Sequence, residues 1–311
     1  MKRGSGFILI VILIILLGVF SYFLYNAILD YNPNSVSFFK KINLTELKNE
    51  TSFSSGSQFY PNMRFPSNQI SYNIYFDCSD EKKNKTISAF NYLGEETGLS
   101  FYSKEDDADI SVSCSENEEK INESYFIAGE GGPVEIIISK LFNVINKGKV
   151  LLLYKKSVCG DYSVELHEIL HVLGFKHSEN KYSIMYPTLN CNQVLTNDII
   201  NEIKRLYIFE ELPDLYFTNL SLIKHGKYID FNVSVKNQGL AIAENIKLEI
   251  SFGTVKIDSL SLGSINYGEG RVLEVSNLEL PSRDVDNLSF KLIISKDLDF
   301  SNNQEVLVAN E

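Results

Sequence analysis

Three of the four histidines in this 311-residue chain, His167, His171 and His177, fall within the eleven residues HEILHVLGFKH. With histidine this scarce, a chance match to H-E-x-x-H-x-x-G-x-x-H has a probability of roughly a few per million, so the spacing asks for a chemical reason. On a helix, positions i and i+4 lie one turn apart on one face, and His167 and His171 can present imidazole nitrogens to a single ion about 2.0–2.1 Å away. Glu168 follows the first of them too closely to join the same coordination and suits a general base held over a water on that ion. Gly174 can take the left-handed conformation that ends a helix and turns the chain, which brings in His177 as a third ligand. Three neutral imidazoles leave one tetrahedral position open, the mark of a catalytic zinc, which lowers the pKa of water to about 7. The chemistry expected is amide hydrolysis, with one zinc, Glu168 as base and no role for His225, which stands apart in LIKHGKY.

The elements that must position these groups can be read around them. Leu166, Ile169, Leu170 and Leu173 form an i, i+3, i+4, i+7 stripe, so the helix should bury one side and offer its histidine edge to a cleft. Downstream, SIMYP places Met185 eight residues past His177. The extended histidine motif followed by this methionine resembles the metzincins, and HVLGFKHS with SIMYP is most similar to their matrixin branch. RFPSNQISYNIYF (64 to 76) resembles the entry and first strand of a matrixin catalytic domain. KTISAFNYLGEETGLSFYS resembles its long helix and second strand, DADISVSCS its third strand and LTNDIINEIKRLY its closing helix.

The resemblance implies a zincin-like domain over 64–209, a twisted mixed sheet with long helices, and Met185 as support beneath the metal. It admits calcium, for which Asp106, Asp107 and Asp109 are available donors, although nothing in their spacing demands it. The chain also departs from the clan. Pro187 stands where some relatives carry a tyrosine able to reach zinc, so no tyrosine ligand is assigned. This domain has no histidine to spare for a second, structural zinc, and the first cysteine, Cys78, already lies within it, which leaves no cysteine switch. YFIAGEGGPVEIII (125 to 138) is a candidate edge strand along which an extended peptide could align, its glycines being equally compatible with a loop.

At the N-terminus, Arg3 to Asp30 encloses no charge, and Phe7 to Tyr25 is almost unbroken hydrocarbon. At 1.5 Å per residue that run can cross a bilayer core of about 30 Å, and Lys2 and Arg3 keep the short end cytoplasmic. Residues 1–29 are therefore expected to be a cytoplasmic tip and transmembrane anchor, with a cleavable signal peptide, and hence a secreted form, as the rival reading. Cys78, Cys114, Cys159 and Cys191 are even in number, contain no C-x-x-C and all follow the anchor, which fits disulfides in an exported chain. Of three pairings, Cys78 with Cys114 and Cys159 with Cys191 is preferred, the second bracing the segment that carries the ligands. Seven N-x-S/T sequons, beginning at Asn43, are compatible with an outer face and add little in a chain this rich in Asn and Ser.

Residues 30–63 lack sustained periodicity and read as a stalk or short propeptide. Beyond Leu206 the pattern changes to alternation: Ile229, Phe231, Val233 and Val235 share one face, and further short strands follow to the end. Residues 213–309 should form an all-β immunoglobulin-like sandwich, and PDLYFTNLSL, VSVKNQGLAIAENIKLEI and DFSNNQ resemble adhesion-related, CARDB-like domains. It carries no clustered acid pair, so its expected role is that of spacer or module for a cell-surface partner. The net charge of −11 argues against nucleic acid. The whole reads as an α+β, membrane-anchored, extracytoplasmic zinc endopeptidase acting on proteins or peptides. The alternative is a surface adhesin whose metzincin-like unit is inactive.

Overall fold

The structure, a computed structural model, describes residues 57–116, 119–120, 126–154 and 159–309. The expected anchor over 1–29 and residues 30–56 of the expected stalk lie outside the described residues. Among the described residues no helix is long and apolar enough to cross a membrane.

The first part of the chain builds a sheet with helices on it. Its elements are β1 (Met63–Arg64), β2 (Gln69–Ile74), α1 (Asp80–Thr97), β3 (Ser100–Ser103), β4 (Ile110–Cys114), the small pair β5 (Glu119–Lys120) and β6 (Phe126–Ile127), β7 (Gly129–Ile138), β8 (Asn143–Leu152), α2 (Ser163–Val172) and α3 (Asn197–Leu206). The long path through the sheet runs β8, β4, β2, β3 with every pairing parallel, and β1 joins β8 in parallel at Asn143 and Val144. Residues 148–152 of β8 pair with β4 on one side and, antiparallel, with β7 on the other, so β7 is an outer strand.

Local chemistry accounts for the helices. Ser79 caps α1, accepting from Lys82 N, with Asp80 and Glu81 in the first turn where the helix dipole favours negative charge. Gly98, at φ 82°, ends it. The face bearing Ala89, Phe90 and Leu93 is buried on the sheet, with Phe90 stacked 4.3 Å from Tyr72. In α3, Ile199, Ile200, Ile203 and Leu206 supply the apolar face, while Arg205 and Glu202 pair at 2.7 Å on the other side. The expected stripe of α2 is buried throughout, Leu166, Ile169, Leu170 and Leu173 each being no more than 3% exposed. Gly148 of β8 lets α2 approach so closely that a β-carbon there would meet Val172 Cγ1 at 2.2 Å.

One boundary differs from the sequence reading. Residues 57–63 are not stalk-like: Gln58 and Met63 are buried, Gln58 bridges to Phe175, and Lys176 N donates to Ser57 O. This segment carries no periodicity because it is held by single backbone and side-chain hydrogen bonds, such as Gln58 Nε2 to Met63 O at 2.8 Å. Arg64 is also buried. Its guanidinium donates to the carbonyls of Phe65, Pro66 and Leu206 and stacks 4.3 Å over Tyr207, tying the entry strand to the end of α3.

The second part is an all-β sandwich of seven strands: β9 (Leu215–His225), β10 (Tyr228–Asn237), β11 (Ala243–Phe252), β12 (Val255–Ile265), β13 (Gly270–Glu279), β14 (Asn287–Ile293) and β15 (Gln304–Val308). One sheet is ordered β13-β10-β9 and the other β12-β11-β14-β15, all antiparallel. The alternating residues of β10 face the second sheet as expected, Phe231 meeting Phe290 edge-on at 5.3 Å. Both preferred disulfides are present, Cys78–Cys114 and Cys159–Cys191.

Candidate active site

Helix α2 brings His167 and His171 to one edge, and its end delivers the third imidazole. Gly174 has φ 92°, and a side chain there would strike Met63, so both its conformation and its packing require glycine. The three Nε2 atoms form a triangle with sides of 3.1, 3.1 and 3.3 Å. Tetrahedral bonds of 2.0–2.1 Å would place ligand nitrogens about 3.3–3.4 Å apart, so the triangle has the size that one zinc requires. Among the described residues this is the one group of three or more His, Cys, Asp or Glu side chains whose donor atoms converge.

Backbone carbonyls aim the rings. His167 Nδ1 donates to Ile184 O and His171 Nδ1 donates to Phe175 O, each at 2.7 Å. This tautomer leaves both Nε2 lone pairs pointing into the triangle. Burial lowers the pKa of all three histidines, and for His171 burial together with the neighbouring imidazoles brings it down to about 4. The trio is therefore held neutral, the form that binds a metal.

Met185 is 1% exposed and lies in the turn that follows His177. The turn's backbone does as much as its side chain: Ile184 O holds His167, and Met185 O accepts from the N–H of Ser178, next to His177. Phe59, from the segment first read as stalk, stacks 6.0 Å from His171.

Glu168 is 6% exposed and lies against β7. An added β-carbon at Gly129 would meet Glu168 Cγ at 2.8 Å, and one at Gly131 would meet Glu168 O at 2.2 Å. The GEGG run is thus strand, and its glycines are where helix and strand touch. Burial, then the charges of Glu130 and Glu165, push the Glu168 carboxyl up to about 8. A divalent ion in the neighbouring trio would draw it back down. Glu165, one turn earlier, is buried too, hydrogen-bonded to Tyr154. Helix α2 is consequently buried on nearly every side rather than along one stripe.

The other acidic candidates do not gather. Asp107 pairs with Lys147, and Asp109 Oδ2 accepts from both the N–H and the hydroxyl of Ser71 at 2.7 Å. His225 lies 3.6 Å from Asp230, on the sandwich strands. Residues on both sides of the methionine turn, among them Lys181, Tyr182, Tyr186, Leu189 and Gln193, line an open pocket of about 320 Å³. The Cys159–Cys191 bridge ties this segment to the approach to α2.

Comparison with known proteins agrees with this geometry over the first part of the chain. Residues 64–208 match the family described as Matrixin, a peptidase family. No curated protein matches the sequence. Among solved structures, the CARDB domain of a Pyrococcus furiosus protein, in complex with di-metal ions, has 16% identity and a TM-score of 0.26, covering 32% of this chain and 88% of that one. High choriolytic enzyme 1, a hatching enzyme zinc-protease of the medaka fish Oryzias latipes, has 20% identity and a TM-score of 0.23, covering 36% of this chain and 46% of that one.

Proposed function

We propose, from the premise that residues 64–208 are a zinc metalloendopeptidase domain of the matrixin family, that the chain is a membrane-anchored, extracytoplasmic endopeptidase. In this reading residues 1–29 are the anchor, 64–209 the catalytic domain and 213–309 a spacer or partner-binding sandwich. The two disulfides suit an oxidising, extracytoplasmic compartment.

His167, His171 and His177 would hold one zinc, which when bound polarises the scissile carbonyl and acidifies water. The free edge of β7 offers backbone donors and acceptors, so an extended peptide can pair with it as a further strand. Glu168, lying between α2 and that strand, takes a proton from the attacking water as its oxygen bonds to the carbonyl carbon. The same carboxyl then gives the proton to the amide nitrogen as the C–N bond breaks. Ile184 O and Phe175 O keep the imidazoles oriented, and Met185 fills the space below them.

The observation that carries this reading is the zinc-sized nitrogen triangle on a buried helix that also carries Glu168. The test compares the wild type with Glu168→Ala for zinc content and for cleavage of a broad peptide set. Equal zinc with cleavage lost only in the variant is expected, a drop of about 10²- to 10⁴-fold for loss of a general base. Zinc bound by both proteins with no cleavage by either would instead favour the binding-protein alternative.

A further inference from the structure

Among the described residues, three buried amide oxygens at one end of the sandwich have no hydrogen-bond partner: Gln238 Oε1, Asn302 Oδ1 and Asn303 Oδ1. Such atoms are costly to bury and call for an unseen partner. Gln238 and Asn303 are 5% and 1% exposed. Their surroundings are acidic. Asp214 accepts from Gln238 Nε2 at 3.0 Å and from Asn302 Nδ2 at 2.8 Å. Asp297, beside it, accepts from the N–H groups of Leu215 and Asp299 and from the side-chain amide of Asn303.

Carboxylates and amides are thus packed together. The groups acting most strongly on Asp214 and Asp297 include no lysine or arginine; they include Asp299 and, for Asp214, Asp297 itself. Like charges at a buried site are stable only when protonated or when a cation joins them. The available donors are all hard oxygens, from Asp214, Asp297, Asp299, Gln238, Asn302 and Asn303. That set matches the six to eight oxygen ligands of calcium and has none of the nitrogen or sulfur that zinc prefers. No three acidic side chains converge here, so the carboxylates alone do not form a cage, and the orphaned amide oxygens are needed to complete one.

We infer that the loop Asp297–Asn303, together with Asp214 and Gln238, is a binding site for a calcium-class divalent cation. The ion would sit where the chain enters the sandwich. Leu298 N donates to Pro213 O and Leu240 N to Leu212 O, both at 2.8 Å, and Ser139 Oγ, just past the end of β7, donates to Gln238 O at 3.3 Å. A cation bound there would fasten the entering strand to the last loop and stiffen the junction with the catalytic part. The sandwich is then a calcium-hardened spacer, independent of whether the protease is active.

The test uses the full-length chain in detergent with Glu168→Ala to prevent self-cleavage. Terbium is the probe, excited through tyrosine, Tyr216 being two residues from Asp214. Saturable emission displaced by calcium is expected, with the sandwich melting about 10 °C higher in millimolar calcium than in EGTA. Both responses should fall at least several-fold in Asp214→Asn and in Asp299→Asn, the latter a partly exposed position whose substitution spares the core. Two results would overturn the inference. No calcium-displaceable emission and no melting shift would mean that water satisfies the orphaned atoms. Responses that survive both substitutions would place the ion elsewhere, for example near Asp106 to Asp109.

Discussion

Replacing Gly131 by alanine adds one carbon, yet it should disable the active site, because of where that carbon must go. Its ideal position lies 2.2 Å from Glu168 O and 2.8 Å from Glu168 C and Cα, all backbone atoms of α2. Real β-carbons essentially never come closer than 3.0 Å to such atoms, so helix and strand must separate by about 1 Å at this point. No rotamer change relieves the clash, since all three atoms belong to the backbone. The stability cost should be about 1–3 kcal/mol, as for other overpacking changes. The kinetic cost should be larger: a shift of about 1 Å between the proposed base and the strand proposed to pair with substrate should lower the rate by about 10²-fold. Gly132, the next residue of β7, is the control, with nothing within 4 Å of its would-be β-carbon. Gly132→Ala should change stability by about 1 kcal/mol or less and leave kcat/KM close to wild type. The assay is kcat/KM on one peptide, with zinc content and melting temperature for each variant. Equal activity in the two variants would refute the argument that Gly131 exists to let α2 touch the substrate strand.

Two further outcomes follow from the same structure. Replacing Cys159 and Cys191 together by serine opens a loop of sequence separation 32 and should lower unfolding free energy by about 3–4 kcal/mol, read by denaturant titration under non-reducing conditions. An unchanged midpoint would mean that the segment after the methionine turn is already fixed by its own contacts. Without calcium, the sandwich should lose stability as pH rises. Burial, with Asp297 and Asp299 nearby, pushes the Asp214 carboxyl up to about 6 from 3.8, so the folded state favours its protonated form. The contribution is complete below about pH 4 and is lost as pH climbs through about 6, a change of at most about 3 kcal/mol. Hydrogen exchange of the β9 amides in EGTA, corrected for intrinsic rates, should show protection falling over that range; rising protection would contradict it.

What could be read from the sequence was whatever is written in residue types at fixed spacing. The histidine trio, the apolar stripe of α2, the glycine that ends it and the alternation of β10 are of this kind, and each occupies its expected place. What could not be read is carried by backbone atoms or by close approach. Ile184 O and Phe175 O aim two imidazoles, yet any residue type supplies a carbonyl, so no letter marks them. Residues 57–63 pack through Gln58 and Met63 without a repeating pattern, which is why they passed for stalk. The glycines of β7 did carry a signal that was left open between loop and strand. Gly129 and Gly131 are two apart, hence on one face of a strand, and two missing side chains on one face mark the approach of another backbone.

These backbone devices explain how a helix this buried can carry catalytic groups. A buried helix with Glu165, Glu168 and His171 on it invites a desolvation penalty at each polar group. Most are offset locally: Tyr154 bonds one oxygen of Glu165, whose Oε2 stays without a partner, Phe175 O bonds His171, and Ile184 O bonds His167 on the cleft edge. Among the described residues Glu168 has no such hydrogen bond, and burial pushes its carboxyl up to about 8. In the proposed mechanism the partner it lacks would come from what the cleft admits, water and a bound cation. Stability is then given up at the side chain proposed to move a proton, while two of the proposed ligands beside it are held by backbone carbonyls.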